Sequence, residues 1–282
     1  MKKLVLAIIA TLLIAAVVVA GCGKKEASTP KGAQAILNKS QKASQEVKSL
    51  KASGSAAILT PQSEVKESKM TFDMEGNIIS ETEVEAKITA TEDNGKKTDA
   101  YIVGGYAYSF DTTTGWVKQK VDSAQELGSG MLTPGQITGL GKYAENLKEL
   151  PEEGNNYVLS FDVGSKFFEK TLAGAEQPGS QPVSEDQQSA QDMVKLAREM
   201  LKDLKMSVVM KIDKSTYYPS ETTIKMSLKE IPIIGDMSVD MKMAFSNYNE
   251  PVTVALPAEA QNAKEIQGGL PGGLPSIPGL GL

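Results

Sequence analysis

The chain has 282 residues, a formal net charge of −5, no histidine, one cysteine and one tryptophan. The missing histidine removes the commonest general base and metal ligand, and a single cysteine excludes an internal disulfide and a cysteine-based zinc site. Arg198 is the sole arginine, so the forks that read phosphate and guanine are lacking, which argues against nucleic-acid binding. The composition points away from an enzyme, and no cofactor or metal is expected.

In chain order, the first feature is a leader. Lys2 and Lys3 precede an apolar run, Leu4 to Ala20, broken only by Thr11. This is the pattern of a secretory signal, residues 1–21. As a membrane span the run stands at the short limit. Its end, Val19-Ala20-Gly21-Cys22, resembles the lipobox of bacterial lipoproteins. That resemblance implies a diacylglyceryl group on Cys22 and cleavage before it. Residues 22–32 are polar and read as a tether from the lipidated N-terminus.

A single domain is expected over 33–260. Ala33–Leu50 has apolar residues at helical spacing: Ile36, Leu37, Ala43, Val47 and Leu50. Period two follows, with strands at Ser53–Leu59, Met70–Met74, Val84–Ala90, Thr98–Val103, Tyr106–Phe110 and Trp116–Val121. Asp93-Asn94-Gly95 and Gly104-Gly105 supply tight turns, so the run reads as an antiparallel meander. Thr133, Pro134 and Gln136 predict a capping box. The helix they open carries Ile137, Leu140, Ala144 and Leu147, and Pro151 lies beyond its end. A strand at Tyr157–Val163 and a short helix at 165–173 come next. A mobile loop is expected at 176–188 and a helix at about 190–204. The chain closes with three strands whose apolar positions alternate: Met206 to Ile212, Ile224 to Leu228, and Met237 to Phe245. Such alternation sets one face against an apolar interior and the other in water.

The expected fold class is therefore α+β, with a large curved antiparallel sheet and amphipathic helices over its concave face. The order of elements, and the closing segment Phe245 to Pro257, resemble the LppX/LprG-type and LolA/LolB lipoprotein-carrier superfamily. The resemblance implies an unclosed half-barrel that carries acylated molecules between sheet and helices. It has no short motif that would assign ligand contacts residue by residue.

The candidate cavity residues come instead from the alternating strands: Met70, Phe72, Met74, Val84, Ile88, Met206, Met210, Ile224, Met226, Met237, Met241, Met243 and Phe245. Methionine is flexible and polarizable and suits adaptable apolar surfaces, but it also fills irregular cores, and both readings stand. Other motifs carry no chemistry. Gly139-x-Gly141-x-x-Ala144 has no strand before it, so it is not a dinucleotide site. Ser63 and Lys66 lie in a polar connection, and Asp93-Asn94-Gly95 lacks the remaining ligands of a calcium loop. Residues 261–282 contain Gly268-Gly269-Leu270-Pro271 and its repeat at 272–275 and read as a disordered tail, with docking in a groove as the alternative. The function expected is a membrane-anchored, extracytoplasmic lipoprotein of the bacterial cell envelope that binds, carries or senses a hydrophobic, lipid-like molecule. The alternative is a non-catalytic envelope interaction protein with no ligand. A monomer is expected, held to the membrane by its lipid anchor, with no nucleic-acid partner and an unassigned protein partner.

Overall fold

The computed structural model describes residues 32–60, 67–79, 83–111, 114–121, 133–167, 204–231 and 235–266. The leader, Cys22, the loop 176–188, the helix expected at about 190–204 and the tail beyond Ile266 lie outside the described residues. All described residues belong to one compact unit that begins at Gly32.

The first helix, α1, spans Ala33–Gln45 and buries Ile36 and Leu37. Helical spacing predicts that it continues to Leu50, but β1 (Ser49–Leu59) has already begun there. Tertiary hydrogen bonds decide the boundary. The Lys48 N–H donates to Asn249 Oδ1 at 2.7 Å, and the Lys48 carbonyl accepts from Ile78 N–H at 2.7 Å.

Five strands follow as the expected meander: β2 (Glu67–Ile78), β3 (Val84–Glu92), β4 (Lys97–Val103), β5 (Tyr106–Asp111) and β6 (Gly115–Lys120). Gly104 and Gly105 both take positive φ between β4 and β5, which a two-residue hairpin needs. In the β3–β4 turn only Gly95 does so, and Asn94 instead accepts from Lys96 N–H at 2.7 Å.

The capping box is present. Thr133 Oγ1 accepts from Gln136 N–H at 3.3 Å, and Gln136 Oε1 accepts from Thr133 N–H at 2.8 Å. The helix it opens, α2, covers only Pro134–Gly139 and passes into a 3-10 turn at Leu140–Tyr143. The expected continuation through Leu147 is instead β7 (Ala144–Glu153), paired with β8 (Asn156–Val163). Ala144 and Leu147 are both half-buried although three residues apart, because a register shift between Glu145 and Lys148 interrupts the strand's two-residue period and leaves a spacing that also fits a helix. Pro151 sits within β7, at the sheet edge, where its missing N–H breaks no ladder.

The remaining strands are β9 (Lys205–Asp213), β10 (Pro219–Ile231), β11 (Gly235–Ser246) and the short β12 (Lys264–Glu265). All twelve form one sheet in the order β12-β6-β5-β4-β3-β2-β1-β11-β10-β9-β8-β7. The chain starts at the centre, steps to one edge, reappears at the other edge and returns. Lys51↔Ser246 to Leu59↔Ser238 then zip β1 to β11. Every pairing is antiparallel except β12 with β6. Among the described residues the edges β7 and β12 do not meet. The fold is thus the expected α+β class, an unclosed half-barrel sheet with few helices among the described residues.

Ile36 and Leu37 of α1 and Ile137 and Leu140 near α2 join one apolar cluster with β1 and β8–β11. Gly141 marks a close approach of these pieces. A Cβ there would stand 2.6 Å from Leu37 Cδ2. Close packing, not nucleotide binding, is the role of this glycine.

Candidate ligand-binding face

Strand register brings all thirteen sequence-predicted cavity residues onto one face. Met74 pairs with Ala52, which pairs with Phe245; Phe72 pairs with Gly54, which pairs with Met243; Met70 pairs with Ala56, which pairs with Met241. The rows continue through Ile224 and Val208, and through Met226 and Met206. On the other side, Met74 meets Ile88 and Ile78 meets Val84. Met210 pairs with Thr222, and Met237 with Leu228, on the same face.

The middle of this face is small. Ala52, Gly54 and Ala56 form a furrow along β1, with Met70, Phe72 and Met74 as one wall and Met241, Met243 and Phe245 as the other. A Cβ at Gly54 would lie 2.5 Å from Phe72 Cζ and 2.4 Å from the Lys242 carbonyl oxygen, so the Phe72 ring occupies the furrow. Under β3–β5 the face thins to Ala86, Ile88, Ile102 and Ala107, a separate small cluster.

The face is covered. Met210, Met241 and Met243 are at most 1% exposed, and Phe72, Ile88, Met206, Ile224, Met226 and Phe245 are buried. Met70, Met74, Val84 and Met237 are half-buried. One cleft of about 500 Å³ runs mainly along the opposite, polar face, past Ser55, Ala57, Thr71, Lys225 and Lys242, and reaches Met70 and Met241 at its margin. A second, of about 720 Å³, touches Val163, Leu204, Met206 and Met226 near the chain entry to β9. Two further clefts of about 390 Å³ each, also largely on the polar side, reach Gly54 and Phe72, and Ala52 and Met74.

Two features that flank this face were not singled out from sequence. The first is a tyrosine cluster at the β9–β10 turn. Tyr217 takes φ 63° and is buried, with its ring stacked on Tyr157 at 6.0 Å and Lys39 Nζ of α1 3.8 Å above it. Tyr218 stacks on Tyr248 at 4.5 Å. The Tyr248 hydroxyl donates to the Pro219 carbonyl at 2.5 Å, and burial pushes its pKa up. The turn is built on Asp213, whose carboxylate accepts from Thr216 N–H at 2.9 Å, Ser215 N–H at 2.9 Å and the Ser215 hydroxyl. Burial opposes ionisation of Asp213, but these donors outweigh it and hold the pKa at about 2. The Asp213-Lys214-Ser215-Thr216 run is a legible turn signal; the ring stacking is not. The second feature is aromatic: Tyr106, Tyr108 and Phe110 alternate along β5, on the polar side.

The exit segment clamps the sheet centre. Asn247 and Asn249 take positive φ, 53° and 59°, which asparagine tolerates. Ser49 Oγ donates to the Glu250 carbonyl at 2.5 Å, and Asn77 Nδ2 donates to the Val252 carbonyl at 3.0 Å. From β2 the segment passes to β6, where Ala260 is fully buried and β12 pairs. Lys264–Glu265 thus adds a strand within the stretch that composition assigns to the tail.

Known structures with related folds include a LolA superfamily protein from Nitrosomonas europaea (11% identity over 80% of this chain and 95% of that one, TM-score 0.28). An outer membrane lipoprotein-sorting protein domain from Vibrio parahaemolyticus matches at 10% identity over 80% and 95%, TM-score 0.26. The MucA/MucB complex of Pseudomonas aeruginosa matches at 13% identity over 81% of this chain but 59% of that one, TM-score 0.28. The first of these is described as a member of the LolA superfamily. A sequence comparison with curated proteins finds no match. Residues 32–265 match the family described as "Family of unknown function (DUF6612)", and the chain belongs to that family.

Proposed function

We propose that this protein is a lipid-anchored envelope protein that binds a hydrophobic, acyl-bearing molecule against the apolar face of its sheet. The observation that carries the proposal is the furrow of Ala52, Gly54 and Ala56, walled by methionine and phenylalanine. A furrow of small residues between flexible, polarizable walls accepts a chain of methylenes, and each buried methylene contributes about 0.8 kcal/mol. Entry would displace the Phe72 ring. Cys22, at the end of a secretory leader, supports attachment at the extracytoplasmic face of the membrane.

Native mass spectrometry of the purified protein tests the reading. An added mass, released by organic solvent as an acyl-bearing species, is expected. Met70→Glu puts a charge at the half-buried margin of the face and should abolish that mass while the circular dichroism spectrum stays the same. A bare chain mass, with no uptake of a fluorescent fatty acid, overturns it.

The near-zero exposure of Met210, Met241 and Met243 favours a second reading, in which the face is ordinary core and the protein acts by binding a partner in the envelope. A bare chain that nonetheless cross-links to one membrane protein would select that reading.

A further inference from the structure

The outward face of β4, β5 and β6 departs from the rest of the polar side. Register sets Tyr101 beside Tyr108, and Trp116 beside Phe110. The rings meet edge to face, with Phe110 and Trp116 centroids 5.7 Å apart and Tyr101 and Trp116 5.9 Å apart; Tyr101 is buried beneath, while Tyr106, Tyr108 and Trp116 are half-buried. Lys118 Nζ lies 4.8 Å from the Tyr106 ring centre. Phe110 is 52% exposed. Along β1 and β11 the same side of the sheet carries Ser53, Ser55, Asp240 and Lys242. A partly exposed aromatic cluster marks a docking site more often than a scattered apolar residue does.

The occupant is argued from where the chain leaves the sheet. β12 runs parallel to β6, with Lys264 opposite Val117 and Glu265 opposite Lys118. The Ile266 N–H then donates to the Lys118 carbonyl at 3.0 Å. The chain therefore departs toward Lys120, and Lys120 pairs with Tyr106. Residues 267–282 follow, and they contain no charged side chain. Gly268 and Gly269 follow Gln267 and permit a reversal of direction. Leu270-Pro271 and Leu274-Pro275 are four residues apart, about 12 Å in a polyproline II conformation. Tyr106 and Phe110 are four residues apart along a strand, about 13 Å. Proline-containing segments in this conformation dock in aromatic-lined grooves. A short tether also keeps the segment at roughly millimolar local concentration, so weak contacts suffice.

We propose that residues 267–282 fold back onto the aromatic face of β4–β6, with the two Leu-Pro units seated over Tyr106, Tyr108, Phe110 and Trp116. Trp116 is the only tryptophan, so its emission reads the contact directly. A chain ending at Ile266 should show red-shifted emission and stronger acrylamide quenching than the full chain. A synthetic peptide of residues 267–282 should reverse both changes. If the shortened chain loses its far-UV circular dichroism, the full-length double variant Leu270→Ser, Leu274→Ser decides, and it should show the same red shift and stronger quenching. Emission that is unchanged in both variants overturns the proposal. So does a blue shift with anionic phospholipid vesicles that is equal in the full and shortened chains, which would assign the face to a membrane surface.

Discussion

At the scale of single residues, Gly54 is under tight steric control. It lies mid-strand between β2 and β11, with the Phe72 ring and the Lys242 carbonyl where a Cβ would go. Gly54→Ala forces one of them aside, and overpacking of this kind costs about 1–3 kcal/mol. Chemical denaturation should show a lower midpoint at unchanged slope. Asp213 makes a pH-dependent contribution. Its carboxyl is held at about 2, below the ordinary 3.8, so its stabilisation is fully present above the ordinary value and is lost as pH falls through about 2. Asp213→Asn removes the charged acceptor from the turn. The variant should be less stable than the parent at neutral pH, and the gap should close between about pH 4 and pH 2. Thermal unfolding at a series of pH values checks this, and a gap that persists at pH 2 would contradict it.

At the scale of elements, the strands were more legible than the helices. Period-two runs such as Met70-Phe72-Met74 and Met237 to Phe245 became β2 and β11 because alternation leaves one arrangement that hides every apolar side chain. The helix expected over 133–147 was correct only in its first turns. There Thr133, Pro134 and Gln136 act locally, whereas Ala144 onward is claimed by pairing with β8. Thr133→Ala removes the acceptor for Gln136 N–H and should cost about 1 kcal/mol, read as a lower unfolding midpoint. The exit segment behaves as an element too. Asn249 accepts from Lys48 N–H, and its own N–H donates to the Ser49 carbonyl at 2.9 Å. Asn249→Ala removes the first bond and places alanine at positive φ, so a loss of about 1–3 kcal/mol is expected. Hydrogen exchange should show the start of β1 opening first.

At the scale of the whole molecule, the central seam of the sheet joins distant parts of the chain. Lys51 pairs with Ser246, and Leu59 with Ser238. Closing so long a loop before any seam contact forms is entropically slow. Refolding from denaturant should therefore take milliseconds to seconds or longer, and substitutions along β1 and β11 should mainly speed unfolding. Stopped-flow fluorescence of Trp116, on the early meander, and circular dichroism, which reports the whole sheet, should then give different rates. The seam also creates the proposed binding furrow, because β1 brings alanine and glycine between two walls encoded some 170 residues apart.

The sequence by itself determined which residues face inward on each late strand and where the hairpins turn. These are local properties, set by side-chain period, turn chemistry and composition. Only the tertiary structure decided that β1 lies beside β11, that Val47 and Leu50 leave the helix, and that residues 144–153 form an edge strand. It also decided that Phe72 fills the space above Gly54 and that Tyr101, Phe110 and Trp116 meet on the polar side. Each of these depends on register between distant segments, and register is selected by the summed burial of the sheet, not by a run of neighbouring residues.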